Sequence, residues 1–265
     1  MGFLIFGGIL LIAGIVLFFV QKDHRTKAYS LKIARAVTVA ELEKLSKEIA
    51  QEIGGGNWRD YVKLTGTVVC DRPLTSELTQ SPCVHYSMDV RREYEETVTR
   101  KDSNGNETQE TQRGSETVSS NQQSVPFELH DATGAIAIEP TDADIETVKV
   151  LEEFRPEQAG NFISFGTFSR ALSNMGAGRR TLGYRYCESI LPLDRRITVV
   201  AALSDSASRL TLQSPAASDK KFIISLRSEE ELTKAADRNA QLTTIAMIAC
   251  LILGVIFLIV GLVVR

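Results

Sequence analysis

The chain has 265 residues and a formal net charge of −3, and its cations form no stripe. That excludes a general nucleic-acid binder, which needs a basic face. Four cysteines, Cys70, Cys83, Cys187 and Cys250, include no C-x-x-C pair, and an odd three lie outside the apolar ends, so reduced thiols are expected and no disulfide framework.

Two apolar runs, Gly2–Val20 and Thr243–Val264, stand at the ends of the chain, and neither carries a charged side chain. Each has about the ~20 residues that a helix needs to cross a bilayer. The first is read as a retained anchor. A signal peptide needs a cationic start and a small-residue cleavage site, and Phe18-Phe19-Val20-Gln21 offers none. The expected layout is a first span over 1–21, an amphipathic helix over 22–56, a β-rich domain over 57–240 and a second span over 241–265. Lys22, Arg25, Lys27, Lys32 and Arg35 follow the first span, and Lys234 and Arg238 precede the second. In a bacterial plasma membrane this bias puts the middle domain in the cytoplasm. Glycines recur seven residues apart in both spans, Gly7 with Gly14 and Gly254 with Gly261. That is about two turns, hence one face, and small faces let helices meet in lipid. An antiparallel pair sets Gly7 level with Gly261 and Gly14 with Gly254.

Residues 28–53 read as helix, most clearly from the capping-box spacing Thr38-Val-Ala-Glu41 onward. Leu42, Leu45, Ile49 and Ile53 share a face, and Gly54-Gly55-Gly56 ends it. From Tyr61 the period becomes two: Val62, Leu64, Val68 and Cys70 alternate with polar residues, as in a half-buried strand. Asp71-Arg-Pro73 breaks that strand, and another runs from Cys83 to about Val98. The polar stretch Arg100–Ser124, which contains Asn104-Gly105, reads as a long hairpin or as a disordered excursion. Ser124–His130 and Ala135–Ile138 form a hairpin around Asp131–Gly134, with glycine supplying the unusual angle. A short helix is expected after Pro140, and Phe154–Gly178 reads as loop with an irregular strand. Further strands are Tyr184–Leu191, Ile197–Leu203, Leu210–Leu212 and Phe222–Leu226. Ser228 and the acidic triplet Glu229–Glu231 start a helix that leads into the second span. The fold class is α+β, with a barrel- or sandwich-like β-rich domain between two transmembrane helices.

The commonest catalytic motifs, G-x-S-x-G, G-x-x-x-x-G-K-[ST] and H-E-x-x-H, are absent. Gly176-Ala-Gly178-Arg-Arg180 lacks a third glycine and a strand–helix frame, so it reads as a basic turn. Cys83 and His85 share a strand face that His130 could approach, but a structural zinc needs four ligands. A buried thiol and a half-exposed histidine explain both. Asp142, Asp144 and Glu146, at spacing two, read as the acidic first turn of the helix after Pro140. No catalytic or metal residue is assigned, and no cofactor.

The order of elements resembles the GIDE (beside-a-membrane) family. The residues that carry the likeness are Gly66, Pro73-Leu74, Cys83, Pro126-Phe127, Asp131, Gly134, Gly183, Glu188, Leu191, Pro215 and Ser225, set between two spans. The best-known members are MULAN-type E3 ubiquitin ligases of the mitochondrial outer membrane, with relatives in chloroplast envelopes. The resemblance implies that these residues shape the domain and that ubiquitin transfer is delegated to a RING finger after the second span. A RING needs eight Cys or His ligands, largely in close pairs, and these 265 residues hold no such pairs. A second departure is Val199-Val-Ala201-Ala202, where the family pattern leads one to expect a glycine. The family's domain faces the side opposite the RING, a periplasmic or intermembrane space, against the charge bias.

The expected function is a two-span membrane protein whose domain is an interaction or regulatory module, non-catalytic by itself. The alternative is an E3 ubiquitin transferase by descent. Its expected partners are the lipid bilayer and an unidentified protein that contacts Arg100–Ser124 and Phe162–Arg180. A homo-oligomer is left open, and nucleic acid is not expected.

Overall fold

The computed structural model describes residues 2–53, 58–101, 107–156, 162–171, 179–206 and 209–263. Its first elements are α1 (Gly2–Ile33), β1 (Arg35–Ala36), α2 (Val39–Ile53), β2 (Arg59–Val69), β3 (Leu74–Thr75), β4 (Pro82–Lys101) and β5 (Glu107–Ser124). Then come β6 (Phe127–His130), β7 (Ala135–Ile138), β8 (Asp144–Ile145), β9 (Val148–Pro156), β10 (Phe162–Phe165) and β11 (Phe168–Ala171). The chain closes with β12 (Arg179–Pro192), β13 (Arg196–Ser206), β14 (Arg209–Gln213), β15 (Ile223–Ser225) and α3 (Glu229–Val263). They form two units: Met1–Thr67 with Leu129–Ile145 and Arg196–Arg265, and Val68–Glu128 with Glu146–Arg195.

In the first unit, α1 and α3 are both long and apolar enough to cross a membrane. They pack antiparallel. The Phe6 and Phe257 rings meet edge-on with centroids 5.1 Å apart. Gly7, Gly14, Gly254 and Gly261 are buried. A Cβ on Gly7 would lie 3.0 Å from the Gly254 carbonyl oxygen, and one on Gly14 2.7 Å from the Leu251 side chain. Gly7 therefore meets Gly254 and Leu258, not Gly261, and the register is about one turn from that expected. Where the helices leave the apolar runs, Gln21 is 4 % exposed and its amide lies 3.1 Å from the Thr244 hydroxyl.

Neither helix stops at the end of its apolar run. Alpha-helical structure continues 13 residues past Val20 to Ile33, about 20 Å at helical rise. The single helix expected over 22–56 is two helices. After Ile33 the chain joins β2 in parallel, Arg35 opposite Val62 and Ala36 opposite Lys63, and a strand ladder replaces the helical turn. Ala28, Leu31 and Ala34 of this extension share one core with Tyr61, Val200, Ile223, Leu232 and Ala236. Alpha-helix α3 starts at a capping box: Ser228 Oγ accepts from the Glu231 amide at 3.3 Å while Glu231 accepts from the Ser228 amide at 3.2 Å. The same box starts α2, with Thr38 N 2.8 Å from Glu41 Oε2. The triple glycine after Ile53 lies outside the described residues.

The sheet of the first unit runs β1-β2-β6-β7-β14-β13-β15-β8, and β2 also pairs with β13. That extra ladder, Arg196 opposite Thr67 through Ser204 opposite Arg59, closes a five-stranded barrel. Its core is built from alternate residues: Val62, Leu64, Leu129, Ile136, Ile138, Ile197, Val199 and Leu212 are all at most 3 % exposed. Numbered along the chain, the barrel strands follow the cycle first, second, third, fifth, fourth, first. The third and fifth, β7 and β14, are parallel. This is the Greek-key connectivity of OB-type barrels. The second unit consists of the two segments inserted after the first and third barrel strands.

The helix expected after Pro140 is absent. The Ala143 amide turns back to the Pro140 carbonyl at 3.1 Å, and Asp142 takes φ 61. Asp144 and Ile145 then pair parallel with Ile223 and Ile224, and that ladder overrides the local acidic helix-start signal.

The second unit is an antiparallel sheet in which β4 lies between β12 and β5, with β3 beside the start of β4 and β9 outside β12. One face is the core: Cys83, Tyr86, Met88, Val90, Val118, Tyr184, Tyr186 and Ile190, with Ile163 and Phe168 from the β10–β11 hairpin. Within Phe154–Gly178, read as loop with an irregular strand, the end of β9 and this hairpin are strand. Gly166, at φ 58, makes its turn.

Candidate functional site

Cys83 and His85 are both buried, at 0 % and 3 % exposed, so the histidine is not half-exposed as expected. Burial and the Glu188 charge push the Cys83 thiol up to about 11, against a weaker hydrogen bond from the His85 amide. It stays protonated at neutral pH, neither nucleophile nor ready metal ligand. Burial lowers the His85 pKa, and Nδ1 sits 2.7 Å from Ser124 Oγ. Asp144 is paired with Lys27 at 2.6 Å. Among the described residues no three His, Cys, Asp or Glu side chains come together as a metal site. Of the basic turn around 176–180, residues 172–178 lie outside the described residues, while Arg179 and Arg180 open β12.

The family-pattern residues do not converge on a cleft. In the second unit, Glu188 is 1 % exposed and organises the Ser76–Ser81 turn. Its carboxylate accepts from Ser76 Oγ at 2.9 Å, the Leu78 amide at 2.7 Å, the Thr79 amide at 2.8 Å and Thr79 Oγ1 at 2.5 Å. Leu74 packs on the core and Leu191 is fully buried. Gly183 sits at a bulge where a Cβ would lie 2.3 Å from the Arg155 carbonyl. Pro73 precedes β3, Pro126 is exposed and Phe127 is buried.

In the first unit, Gly66 lies against His130, and the following turn caps α2. Asp131 Oδ2 accepts from the Val39 amide at 2.9 Å, and Thr133 Oγ1 accepts from the Ala40 amide at 3.0 Å. Asp131 Oδ1 accepts from the Thr133 amide, the Thr133 hydroxyl and the Gly134 amide. Burial alone would raise the Asp131 pKa, but these hydrogen bonds outweigh it and hold the carboxyl below its ordinary value. Gly134 has no positive φ, contrary to expectation. Its lack of a side chain admits Val39, whose Cγ1 would lie 3.0 Å from a Cβ there. Ser225 is buried in β15. Pro215 lines an open cavity of about 590 Å³ with Arg35, Arg59 and Lys220, where Asp60 neutralises Arg35 at 2.6 Å.

The feature with the character of a recognition surface is the β4–β5 hairpin. The two strands pair from His85 opposite Ser124 to Lys101 opposite Glu107. Only Asn104-Gly105 and their immediate neighbours fall outside the described residues. Val118 is an extra residue on β5, bulged between Thr117 and Ser119, and it turns into the core. Every charged side chain of β5 is matched within the sheet. Glu107 lies 3.1 Å from Lys101, Glu110 3.7 Å from Arg100 and Arg113 3.2 Å from Glu95. Glu116 lies 2.9 Å from Arg92 and 3.5 Å from Arg179. Arg92, its side chain 4 % exposed, also donates to Thr181 Oγ1 and the Arg179 carbonyl. Tyr94 lies between two cations, 4.5 Å from the Arg179 guanidinium and 5.6 Å from that of Arg92. Gly114 opposite it leaves room for the ring.

Sequence reading gave Arg92 no role, and it read Arg100–Ser124 as a hairpin or a disordered excursion without identifying an edge strand. The period of two from Tyr86 through Met88 and Val90 to Tyr94 places Arg92 on the inward face, a signal that was available. Among the described residues, β5 has a strand neighbour on one side only.

The family model GIDE, described as E3 ubiquitin ligase, matches residues 95–261, from within β4 to the end of α3. No curated protein and no solved structure matches the chain. With well over half its length matched and two membrane-length helices framing the barrel, the chain is a membrane protein that belongs to the GIDE family of E3 ubiquitin ligases.

Proposed function

We propose that the chain is a membrane-anchored docking module, non-catalytic by itself, and that partners engage the free edge of β5. The observation that carries this is an 18-residue strand with one side unpaired among the described residues and its charges neutralised internally. An exposed ladder of amides and carbonyls is a ready template for another strand. Ubiquitin transfer by descent is the second reading, favoured by the family description alone. The four cysteines and three histidines here cannot supply the eight ligands of a RING, and Cys250 lies within the second apolar run.

Deletion of Arg100–Ser124 is too coarse a test. It would remove buried Val118 and Glu116, the partner of Arg92. Thr111→Lys with Ser115→Lys, at two exposed positions, keeps both and guards the edge with charge. In native membranes, crosslinked adducts of the wild-type chain should disappear from this double variant while its melting temperature is kept. The purified chain, with activating and conjugating enzymes, should form no ubiquitin conjugates. Persistent adducts would overturn the docking surface, and conjugates the non-catalytic role.

We further propose the cytoplasmic side for the domain, from the cations that flank the spans. Lys27 and Lys32 are paired with Asp144 and Asp237, but positive-inside bias counts Lys and Arg rather than net charge. A cysteine at Lys101 should resist an impermeant thiol reagent in intact cells and react after permeabilisation; labelling of intact cells reverses the assignment.

A further inference from the structure

The two apolar runs end level with each other. Alpha-helix α1 leaves its run at Gln21, whose amide meets the hydroxyl of Thr244, near the start of the second run, at 3.1 Å. As helix, Gly2–Val20 rises about 28 Å, close to the ~30 Å of a hydrocarbon core. Gln21 and Thr244 therefore mark the hydrocarbon boundary, and the next turn or two of each helix lies among the headgroups. In that zone, 21–25 on α1 and 238–244 on α3, the one acid is Asp23. It is already taken by Lys221 at 2.6 Å. Further from the boundary, Lys27 and Lys32 are matched by Asp144 and Asp237. Lys22, Arg25 and Arg238 are exposed, and among the described residues none of the three is ion-paired.

Arg25 is also held in place. In the orientation of the Gln21 amide that satisfies its neighbours, the oxygen lies 2.6 Å from Arg25 Nε, 2.9 Å from Arg25 Nη2 and 3.1 Å from Thr244 Oγ1. A guanidinium has five N–H donors, and this contact uses two. The rest remain in the planar fork that suits a phosphate. We propose that Lys22, Arg25 and Arg238 form a collar that binds the headgroups of anionic phospholipids around the α1–α3 pair, with Arg25 as its fixed contact. At this depth the cations have no protein anion to meet, while lipid phosphates stand at the same level. Lys22 and Arg238 reach them on flexible stems. Arg25 is presented by Gln21 and has less side-chain freedom to lose. The inference rests on the two helices as spans and is independent of the β5 edge.

The test uses the full-length chain in nanodiscs, with spin-labelled phosphatidylglycerol and phosphatidylcholine of matched acyl chains. Both faces of the disc are alike, so the outcome does not depend on the side where the barrel stands. Wild type should select phosphatidylglycerol by at least about five-fold in relative association, the worth of one cation near an anionic surface. Added salt should reduce that preference. The triple variant Lys22→Gln, Arg25→Gln, Arg238→Gln should hold the two lipids alike, and Arg25→Gln alone should already lower the preference. Lys32→Gln, about 16 Å of helix past Gln21 and matched by Asp237, should keep it. Absence of selection by wild type, or selection that survives the triple change, overturns the proposal. An equal loss in Lys32→Gln overturns it too, because net charge and not the collar would then be responsible.

Discussion

Glu188→Ala is expected to destabilise the second unit by about 3–5 kcal/mol, the range for removing one partner from a buried charged network. Four donors converge on this carboxylate, two of them backbone amides that cannot turn to solvent. Alanine leaves them buried and unmatched, and each unsatisfied group adds about 1–3 kcal/mol. The turn they hold has few substitutes. Gln80 sits at φ 56, and its amide bridges the Ser76 and Glu77 carbonyls to Thr167 Oγ1. Glu188→Gln keeps the shape but aims an NH2 group at donors, so it should fall between wild type and alanine. Denaturant unfolding of the three proteins in one detergent gives the order. A Glu188→Ala midpoint equal to wild type would show that the turn stands without its anchor.

Gly66→Ala should cost about 3 kcal/mol, the upper end of overpacking effects. An added Cβ would lie 2.5 Å from the His130 carbonyl oxygen and 2.9 Å from Leu129 Cγ. The first contact is with backbone, which no rotamer change relieves. Beta-strand β2 cannot retreat, because its other side is laddered to β13. Gly8→Ala, where nothing lies within 4 Å, is the matched control and should melt with wild type. If Gly66→Ala does the same, the close approach of β2 and β6 is not what this glycine serves.

Glu188 and Gly66 both act on the shape of the fold. The barrel was legible where burial alternates cleanly, as from Val62 to Val68, and where a short, mostly apolar run is buried throughout, as from Ile197 to Ala201. Capping boxes at Thr38 and Ser228 were legible because their signal is local. Three features were not. Beta-strand β9 carries Val150, Leu151 and Phe154 without alternation, being an edge strand with apolar side chains half-exposed on both faces. Asp144-Ile145 becomes strand through pairing with a segment 79 residues away, which no local pattern encodes. The α1–α2 break likewise depends on Val62 and Lys63. The β5 stretch was legible as a polar hairpin with an Asn-Gly turn or as a disordered excursion, and which of the two holds depends on a partner strand, here β4.

Alpha-helices α1 and α3 run without a hinge from the apolar segments into the core they share with Tyr61, Val200 and Ile223. Leu31 and Leu232, which seat that core, lie on the same rods as Gly7 and Gly254 in the apolar segments. Rods that tilt to match a thicker or thinner bilayer therefore carry the barrel with them, so lipid thickness sets the attitude of the first unit much as a mast sets that of its sail.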